Sequence, residues 1–439
     1  MTIRLALLAA TVACASGSVR GDDWPHWMGP KRDNTWNEAG ILEKFPAGGP
    51  KKVWSFPVAG GYAGPAVVGD MVYVTDYLTK DKVPEGNWDL AEQTGIERVF
   101  AVSAKTGKEV WKHEYAVKYK VSYPAGPRCT PAVDGEVVYT LGTMGDLHAF
   151  NKADGKVIWK KNLKDEYKVT NMAIWGYAAH PLVDGKKLIV VAGGTDSQIV
   201  ALDKATGKEL WKAENGTDEG FGYVPPSIVE YAGKRQLLTV VPNAIRALDP
   251  ETGKRIWATP YSADNGSVIM TPVLSGDYLF FGGWNYKNLL VKLDKTKADA
   301  VTVVFKDDKK KGIHAVNVQP FYMDGTMYGH DQDGKLMAVE VATGKRLWET
   351  DAVIGYAKGS DTSFIVKNGD RFFFFAETGD LVIGKLSKEK YEEIDRAKKV
   401  IEPTDAGGGR KVVWCQPAFA NKTMYVRNGK ELVAIDLAK

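Results

Sequence analysis

Cysteine is scarce in this chain: three in 439 residues, at Cys14, Cys129 and Cys415. So few cysteines make no disulfide framework, and stability has to come from buried apolar surface. Long hydrophobic runs are also missing. The one apolar stretch at the N-terminus, Leu5 to Val12, is far too short for the roughly twenty residues that cross a bilayer, and nothing later approaches that length. Charge of one sign is not concentrated either. The net +4 is spread over 58 Lys and Arg against 54 Asp and Glu, with no basic stripe interleaved with aromatics, so nucleic acid is not an expected partner.

Arg4, the short apolar run and the small triplet Ala13, Cys14, Ala15 form the pattern of a secretory signal peptide. Residues 1 to 15, or as far as about 21, are therefore expected to be a leader. The chain is expected to be exported, to the periplasm or beyond the cell. A second reading acylates Cys14 as a lipid anchor, although Thr11 stands where such motifs usually carry an aliphatic residue.

What the chain has in abundance is repetition. AVSAKTGKEVW (101 to 111), AFNKADGKVIW (149 to 159), ALDKATGKELW (201 to 211), ALDPETGKRIW (247 to 257) and AVEVATGKRLW (338 to 348) recur at a period of roughly fifty residues. Such a period marks a unit that buries its apolar face only against its neighbours. Around one copy, PLVDGKKLIVVAGG reads as two strands joined by an Asp-Gly hairpin. SQIVALD is a third strand, KATGK a turn and KELWKAE a fourth strand. Four antiparallel strands per repeat make a propeller blade.

First strands begin near Pro65, Pro131, Pro181, Pro226, Pro272, Pro320, Phe364 and Pro417, which predicts an all-β, eight-bladed β-propeller. The last blade has only three C-terminal strands. KKVWSFP, with Trp54, supplies the fourth and closes the ring, leaving no free edge. Trp54, Trp111, Trp159, Trp211, Trp257 and Trp348 are expected to dock blade on blade, each indole N–H finding a backbone acceptor. Ala101, Ala149, Ala201, Ala247, Ala338 and Ala434 stand where a larger side chain would obstruct the neighbour. Blade 5 is degenerate, with Lys292 in the small-residue position and Phe305 for the Trp. Blade 7 lacks both the Thr-Gly and the Trp. Residues 50–439 are expected to be one domain, and a monomer. Residues 22–49 are expected to lie as an irregular arm across the ring, 86–98 to be an insertion in blade 1, and 307–312 an exposed loop.

The repeat resembles the pyrroloquinoline-quinone-like β-propeller family over nearly the whole chain. DWPHWMGPKRDN and GKLSKEKYEEIDRAKKVIEPT resemble, in particular, a group of exported bacterial proteins within it. The resemblance implies the fold firmly and the activity loosely. The family includes calcium-dependent quinoprotein alcohol dehydrogenases, the scaffold lipoprotein of the outer-membrane β-barrel assembly machinery, and sensor domains. Its enzymes set two adjacent cysteines and a Trp against the cofactor, with Glu, Asn and Asp around calcium and the reacting carbon. This chain has no adjacent cysteine pair, and no matching acidic cluster can be read from its sequence.

A ligand on such a ring is expected at the channel mouth, where the innermost strands begin. The residues two before each leading proline are mostly apolar, so strand alternation sends their neighbours to the opposite face. Those neighbours include Arg128, Thr130, His180, Tyr223, Thr271, Asn317, Gln319 and Gln416, and Tyr62 stands at the same level; these nine are the candidate ligand-binding residues. Arg128 suits a carboxylate or a planar ring, or else an ion pair with the next blade. Cys129 and Cys415 read as buried small hydrophobes. Asp331 and Asp333 read as turn residues rather than a calcium loop. Trp24, Trp27 and Trp36 fit either an aromatic binding surface or an arm docked on the ring. No catalytic residue and no metal ligand is assigned. Two functions follow as expectations. One is a noncatalytic binding or scaffold module of the cell envelope, taking a protein, a polysaccharide or a small planar ligand. The other is a quinoprotein alcohol or sugar oxidoreductase using pyrroloquinoline quinone with calcium.

Overall fold

The computed structural model describes residues 22–82, 90, 92–213, 221–263, 266–297, 299–355, 360–405 and 410–439. The leader and Cys14 lie outside these residues, as does most of the first half of the segment read as an insertion. Its second half is regular strand: Gln93–Ser103 pairs with Met71–Thr79 as far out as Thr79 opposite Gly95.

Eight four-stranded antiparallel sheets form the ring. Blade 1 runs Ala66–Val68, Met71–Thr79, Gln93–Ser103, Glu109–Tyr119, innermost strand first. Blade 8 joins Ala418–Ala420, Thr423–Arg427 and Glu431–Asp436 to Lys52–Pro57 from the other end of the chain, with Trp54 opposite Ala434. The ring is thus closed by both termini. Arg427 reinforces the closure: fully buried, it donates from Nη1 to the Thr75 carbonyl, from Nη2 to that of Ala59 and from Nε to that of Asn428. Among the described residues the only helix is the single turn Leu163–Glu166, and none is long and apolar enough to cross a membrane.

The repeat motif is the locking device between blades. In six blades the conserved Ala faces the large aromatic of the adjacent strand: Ala101 opposite Trp111, Ala149 opposite Trp159, Ala201 opposite Trp211, Ala247 opposite Trp257, Ala338 opposite Trp348, Ala434 opposite Trp54. Four of these rings, Trp54, Trp111, Trp159 and Trp211, then reach across to the glycine turn of the following blade. A Cβ on Gly107 would lie 2.7 Å from the Trp54 ring, on Gly155 2.6 Å from Trp111, on Gly207 2.8 Å from Trp159 and on Gly253 2.5 Å from Trp211. Glycine is required there twice over, because each of these positions also has a positive φ, between 67° and 71°.

The indole N–H groups follow the expectation in four blades and depart from it in two. Trp54 donates to the Ala104 carbonyl, Trp111 to that of Lys152, Trp159 to that of Lys204 and Trp348 to that of Ser387, at 2.8–3.0 Å. Trp257 faces the degenerate blade 5 and turns instead to Gln236 Oε1 in its own blade, at 2.8 Å. Trp211 Nε1 is buried without a partner among the described residues. The residue at the acceptor position there is Pro250. In other blades this residue is pinned by its own N–H, as Lys152 is to the Glu136 carbonyl and Lys204 to that of Lys186; proline has no N–H to make that tie.

Blade 5 corrects the sequence reading at one residue. Phe305 lies opposite Leu290, while Lys292 pairs with Thr302, so Leu290 holds the small-residue position. Ten residues separate Ala201 from Trp211, but fifteen separate Leu290 from Phe305, and the longer turn displaced the alignment. Phe305 still meets the next glycine, Gly344.

The arm lies across the ring only in part: residues 24–36 enter the channel, while residues 41–45 lie against blades 7 and 8, where Arg371 donates to the Leu42 carbonyl and Phe45 N–H bonds to Asp395. Trp24 pairs with Val67, inside the innermost strand of blade 1, and the Pro25 carbonyl takes the N–H of Val133 in blade 2. Trp27 then reaches His180 and Arg32 reaches the Pro181 carbonyl at the head of blade 3. Asn34 Oδ1 accepts from Gln416 at the head of blade 8, and Trp36 N–H returns to the Lys367 carbonyl deep in blade 7. Trp24 and Trp36 are buried against Phe419, and Trp36 also against Phe373. Cys129 and Cys415 are buried free thiols, as expected.

Gly207→Ala is expected to cost about 2–5 kcal/mol, adding overpacking against Trp159 to the left-handed backbone penalty. Gly185→Ala, at a hairpin turn with φ 58° and open space around it, meets only the backbone term, about 1–2 kcal/mol. Urea unfolding of the two variants measures the difference; equal losses would contradict the lock. Deleting residues 50–58 removes the closing strand and is expected to unfold or oligomerise the protein, read by melting and sedimentation; an unchanged monomer would contradict closure.

A cavity at the channel mouth

Above the arm, the connections into the innermost strands surround a cavity of about 470 Å³. Eight of the nine residues singled out from the sequence line it: Tyr62, Arg128, Thr130, His180, Tyr223, Asn317, Gln319 and Gln416. Thr271 stands outside the lining. It is fastened to Gln319, whose Oε1 accepts from Thr271 N–H at 2.6 Å and Oγ1 at 3.0 Å while Nε2 donates back to the Thr271 carbonyl at 3.2 Å.

Several of these side chains hold the ring together as well as facing the cavity. Thr130 N–H donates to His180 Nδ1 at 3.0 Å, the same blade-to-blade link that Gln319 makes with Thr271. Asn317 Nδ2 donates to the Ser360 carbonyl, and Gln416 Nε2 donates to Asn34 of the arm at 2.6 Å. Among the described residues Arg128 has no ion pair with a neighbouring blade. Its Nη1 donates to the Gly126 carbonyl at 2.8 Å and its Nη2 to those of Ser122 and Tyr123 at 2.9 and 2.5 Å, while the guanidinium lies 5.1 Å over the Tyr62 ring. A cation held by neutral carbonyls keeps its charge for the cavity.

His180 stacks on Trp27, ring centroids 4.7 Å apart and planes within 8°. Burial first, then the positive charge of Arg32 and the proximity of His26, hold its pKa well below the ordinary 6.5. The ring is therefore neutral. Since Nδ1 accepts from Thr130, its proton sits on Nε2, which has no protein partner among the described residues. Burial also pushes the Tyr62 phenol up, and that of Tyr223 up to about 12, so both stay protonated donors.

The remaining walls are aromatic. Trp175 leans on Tyr223 at 4.8 Å and Trp414 on Tyr123 at 6.0 Å; Trp284, 40% exposed, and Trp27 complete them. Of these, sequence reading weighed Trp27 as a binding surface and gave no role to Trp175, Trp284, Trp414, Tyr123 or Arg410. A signal was present: among described tryptophans outside both the repeat position and the arm, all three, Trp175, Trp284 and Trp414, line this cavity.

No carboxylate lines the cavity among the described residues. Two acids behind the lining are committed to Arg410. Arg410 Nη2 binds Asp361 Oδ1 at 2.6 Å and Glu377 Oε1 at 2.5 Å, and Glu377 Oε2 accepts from the Trp414 indole at 2.8 Å. Burial raises the Glu377 pKa against these favourable partners. Among the described residues no three His, Cys, Asp or Glu side chains gather as a metal site. Asp331 is not simply a turn residue. It is buried, accepting from His314 N–H at 2.6 Å, contacting His314 Nδ1 at 2.9 Å, and accepting from Arg346 at 2.9 Å, whereas Asp333 does cap its turn.

Comparison with known proteins places this geometry. A family model described as outer membrane protein assembly factor BamB matches residues 95–350 and again 243–439. Quinoprotein alcohol dehydrogenase PedH of Pseudomonas putida is 34% identical over 136 residues, 29% of this chain and 21% of that enzyme. The chain aligns with only about a fifth of the length of the curated dehydrogenases it matches. Among solved structures, the quinohemoprotein alcohol dehydrogenase of Comamonas testosteroni superposes with a TM-score of 0.61 at 15% identity, covering 95% of this chain and 81% of that one. BamB from Moraxella catarrhalis gives 0.56 at 15% identity, covering 88% and 99%. At such identities the superpositions speak for the fold.

The buried neutral His180 makes stability depend on pH. Below the ordinary value of 6.5 the unfolded chain takes a proton that the folded ring refuses, so stability is full above that pH and falls as pH drops toward the folded value. Glutamine can accept the Thr130 N–H, as Gln319 does for Thr271. His180→Gln is therefore expected to reduce the slope of stability against pH by up to about 1.4 kcal/mol per unit below pH 6.5, measured by urea unfolding; an unchanged slope would show that the ring is not held neutral.

Proposed function

The chain belongs to the pyrroloquinoline-quinone-like β-propeller family, and from that premise we propose that it is a noncatalytic binding module of the cell envelope that holds a small planar molecule in the mouth cavity. One observation carries the reading: a cavity of about 470 Å³ walled by indole and phenol rings, with the charge of Arg128 directed at it and no carboxylate in its described lining. Aromatic walls recognise a flat apolar body, and a few fixed polar groups orient its edge. Here those groups are Arg128, the Nε2–H of His180 and the amide of Asn317. The leader-like N-terminus supports an envelope location, as does the match to a family named for an outer-membrane assembly factor.

The alternative is calcium-dependent quinone oxidation of an alcohol or sugar, and the donor set does not fit it. Calcium takes six to eight oxygen ligands and draws on carboxylates; the described lining offers amide and hydroxyl oxygens only. Among the described residues no general base for a substrate hydroxyl stands in the lining either, since Asp361 and Glu377 are bound to Arg410 and His180 presents its protonated nitrogen. No oxidative step is derived.

Pyrroloquinoline quinone is a suitable probe because it is flat and anionic. Titrated into the purified protein, it is expected to quench tryptophan fluorescence with a stoichiometry of one, with or without calcium, and to support no dye-linked alcohol oxidation. Trp414→Ala is expected to weaken binding about tenfold, the scale of a lost ring contact. Calcium-dependent turnover would overturn the binding reading in favour of the oxidoreductase. No saturable quenching would overturn the cavity as a site for planar anions.

A further inference from the structure

The N-terminal arm is built more elaborately than a stopper needs. Its apex, residues 26–34, is folded on itself by the bonds Gly29 N–H to the His26 carbonyl, Arg32 N–H to that of Gly29 and Asn34 N–H to that of Met28. Three of its residues other than glycine, Met28, Arg32 and Asn34, are left-handed, with φ of 66°, 55° and 58°. Such backbone is costly and persists only where the surroundings over-determine it, which is commonest at ligand clamps and switches. The surroundings here are the mouth cavity. Arg32 lies 5.3 Å over the Trp27 ring and donates to the Pro181 carbonyl at 3.1 Å. Trp27, so held, stacks on His180 and itself lines the cavity. On the far side Asn34 takes the Gln416 amide. The arm therefore grips two lining residues, one in blade 3 and one in blade 8, and contributes a third.

We infer that the arm completes the binding site: Trp27 is the floor on which a planar molecule rests, and occupancy of the cavity and docking of the arm in the channel favour each other. This rests on the reading of the mouth cavity as a binding site. The linkage is reciprocal by thermodynamic necessity: an arm that improves the site must be tightened by whatever fills it. Strain at the apex makes the coupling effective, because a segment held near its limit by contacts with His180 and Gln416 has local opening to suppress. Trp27 has a direct role in such a site, and Arg32 and Asn34 are positioning residues that act through it and through Gln416.

Two measurements with pyrroloquinoline quinone as probe test the inference on the full chain. The first is hydrogen exchange at the amides of Trp24, Asn34 and Trp36, which bond to the carbonyls of Val67, Met28 and Lys367; saturating quinone is expected to slow them by about fivefold or more, the lower end of measured couplings. The second is affinity: Trp27→Ala is expected to bind about tenfold more weakly, and Trp27→Phe, which keeps a ring on His180, to recover most of that loss. Unchanged arm exchange together with wild-type affinity in Trp27→Ala, while Trp175→Ala loses binding, would overturn the arm's role and leave the cavity reading standing. If the wild-type protein does not bind the quinone at all, both readings fall.

Discussion

The contact on which this molecule depends is an indole laid on a glycine of the next blade. Trp54 on Gly107, Trp111 on Gly155, Trp159 on Gly207 and Trp211 on Gly253 form an unbroken series from blade 8 to blade 4, and Phe305 on Gly344 repeats it with a smaller ring. Each of the four indole contacts pairs an alanine opposite the ring in its own sheet with a left-handed glycine beneath it in the next, so the motif recurs within the chain by packing. At blade 5, which lacks the glycine, the preceding Trp257 takes a partner in its own blade; at blade 7, which also lacks it, Trp348 still reaches across to the Ser387 carbonyl. Closure uses the same contact, supplied by the N-terminal strand and backed by the carbonyl-bound Arg427.

The geometry of a blade separates these duties in space. An innermost strand starts at the mouth, so the turn between third and fourth strands, where the locks sit, falls on the opposite face of the ring. The mouth is thereby released from the motif. Most of its residues come from the connections between blades, which vary in length and composition, with Trp284 from a hairpin turn of blade 5 and Trp27 from an arm that rises through the channel. Some of them still bridge blades, as His180 does to Thr130 and Gln319 to Thr271. Binding groups positioned in this way are rigid, because each is held by a neighbour roughly fifty residues away in sequence.

Much of the fold was legible. Glycine turns, alternating strands and the recurring Ala and Trp gave eight blades and their closure, and failed only where a turn lengthened, assigning Lys292 a place that Leu290 holds. The site was legible in outline, since the residues flanking each leading proline do reach the mouth. Their partners were not, because hydrogen bonds such as Gln416 to Asn34 join segments with no common pattern. Arg128 read as a group for a carboxylate or a planar ring, or else for an ion pair, and three of its five N–H donors go to the carbonyls of its own loop. The course of the arm was hidden for a similar reason: nothing in DWPHWMGPKRDN reveals that its backbone pairs with Val67, Val133 and Lys367 inside the channel. Trp175 and Trp284 could have been found, as tryptophans that the repeat does not explain.

The central claim is that the aromatic cavity above the arm, with no carboxylate in its described lining, is where this propeller holds a small planar molecule. A crystal structure of the protein grown with pyrroloquinoline quinone tests it most directly. The account predicts flat density inside the cavity, lying against Trp27 and between Trp175 and Trp414, with an anionic edge toward Arg128. A quinone seated on an outer strand or on the opposite face, with only solvent in the cavity, would contradict it.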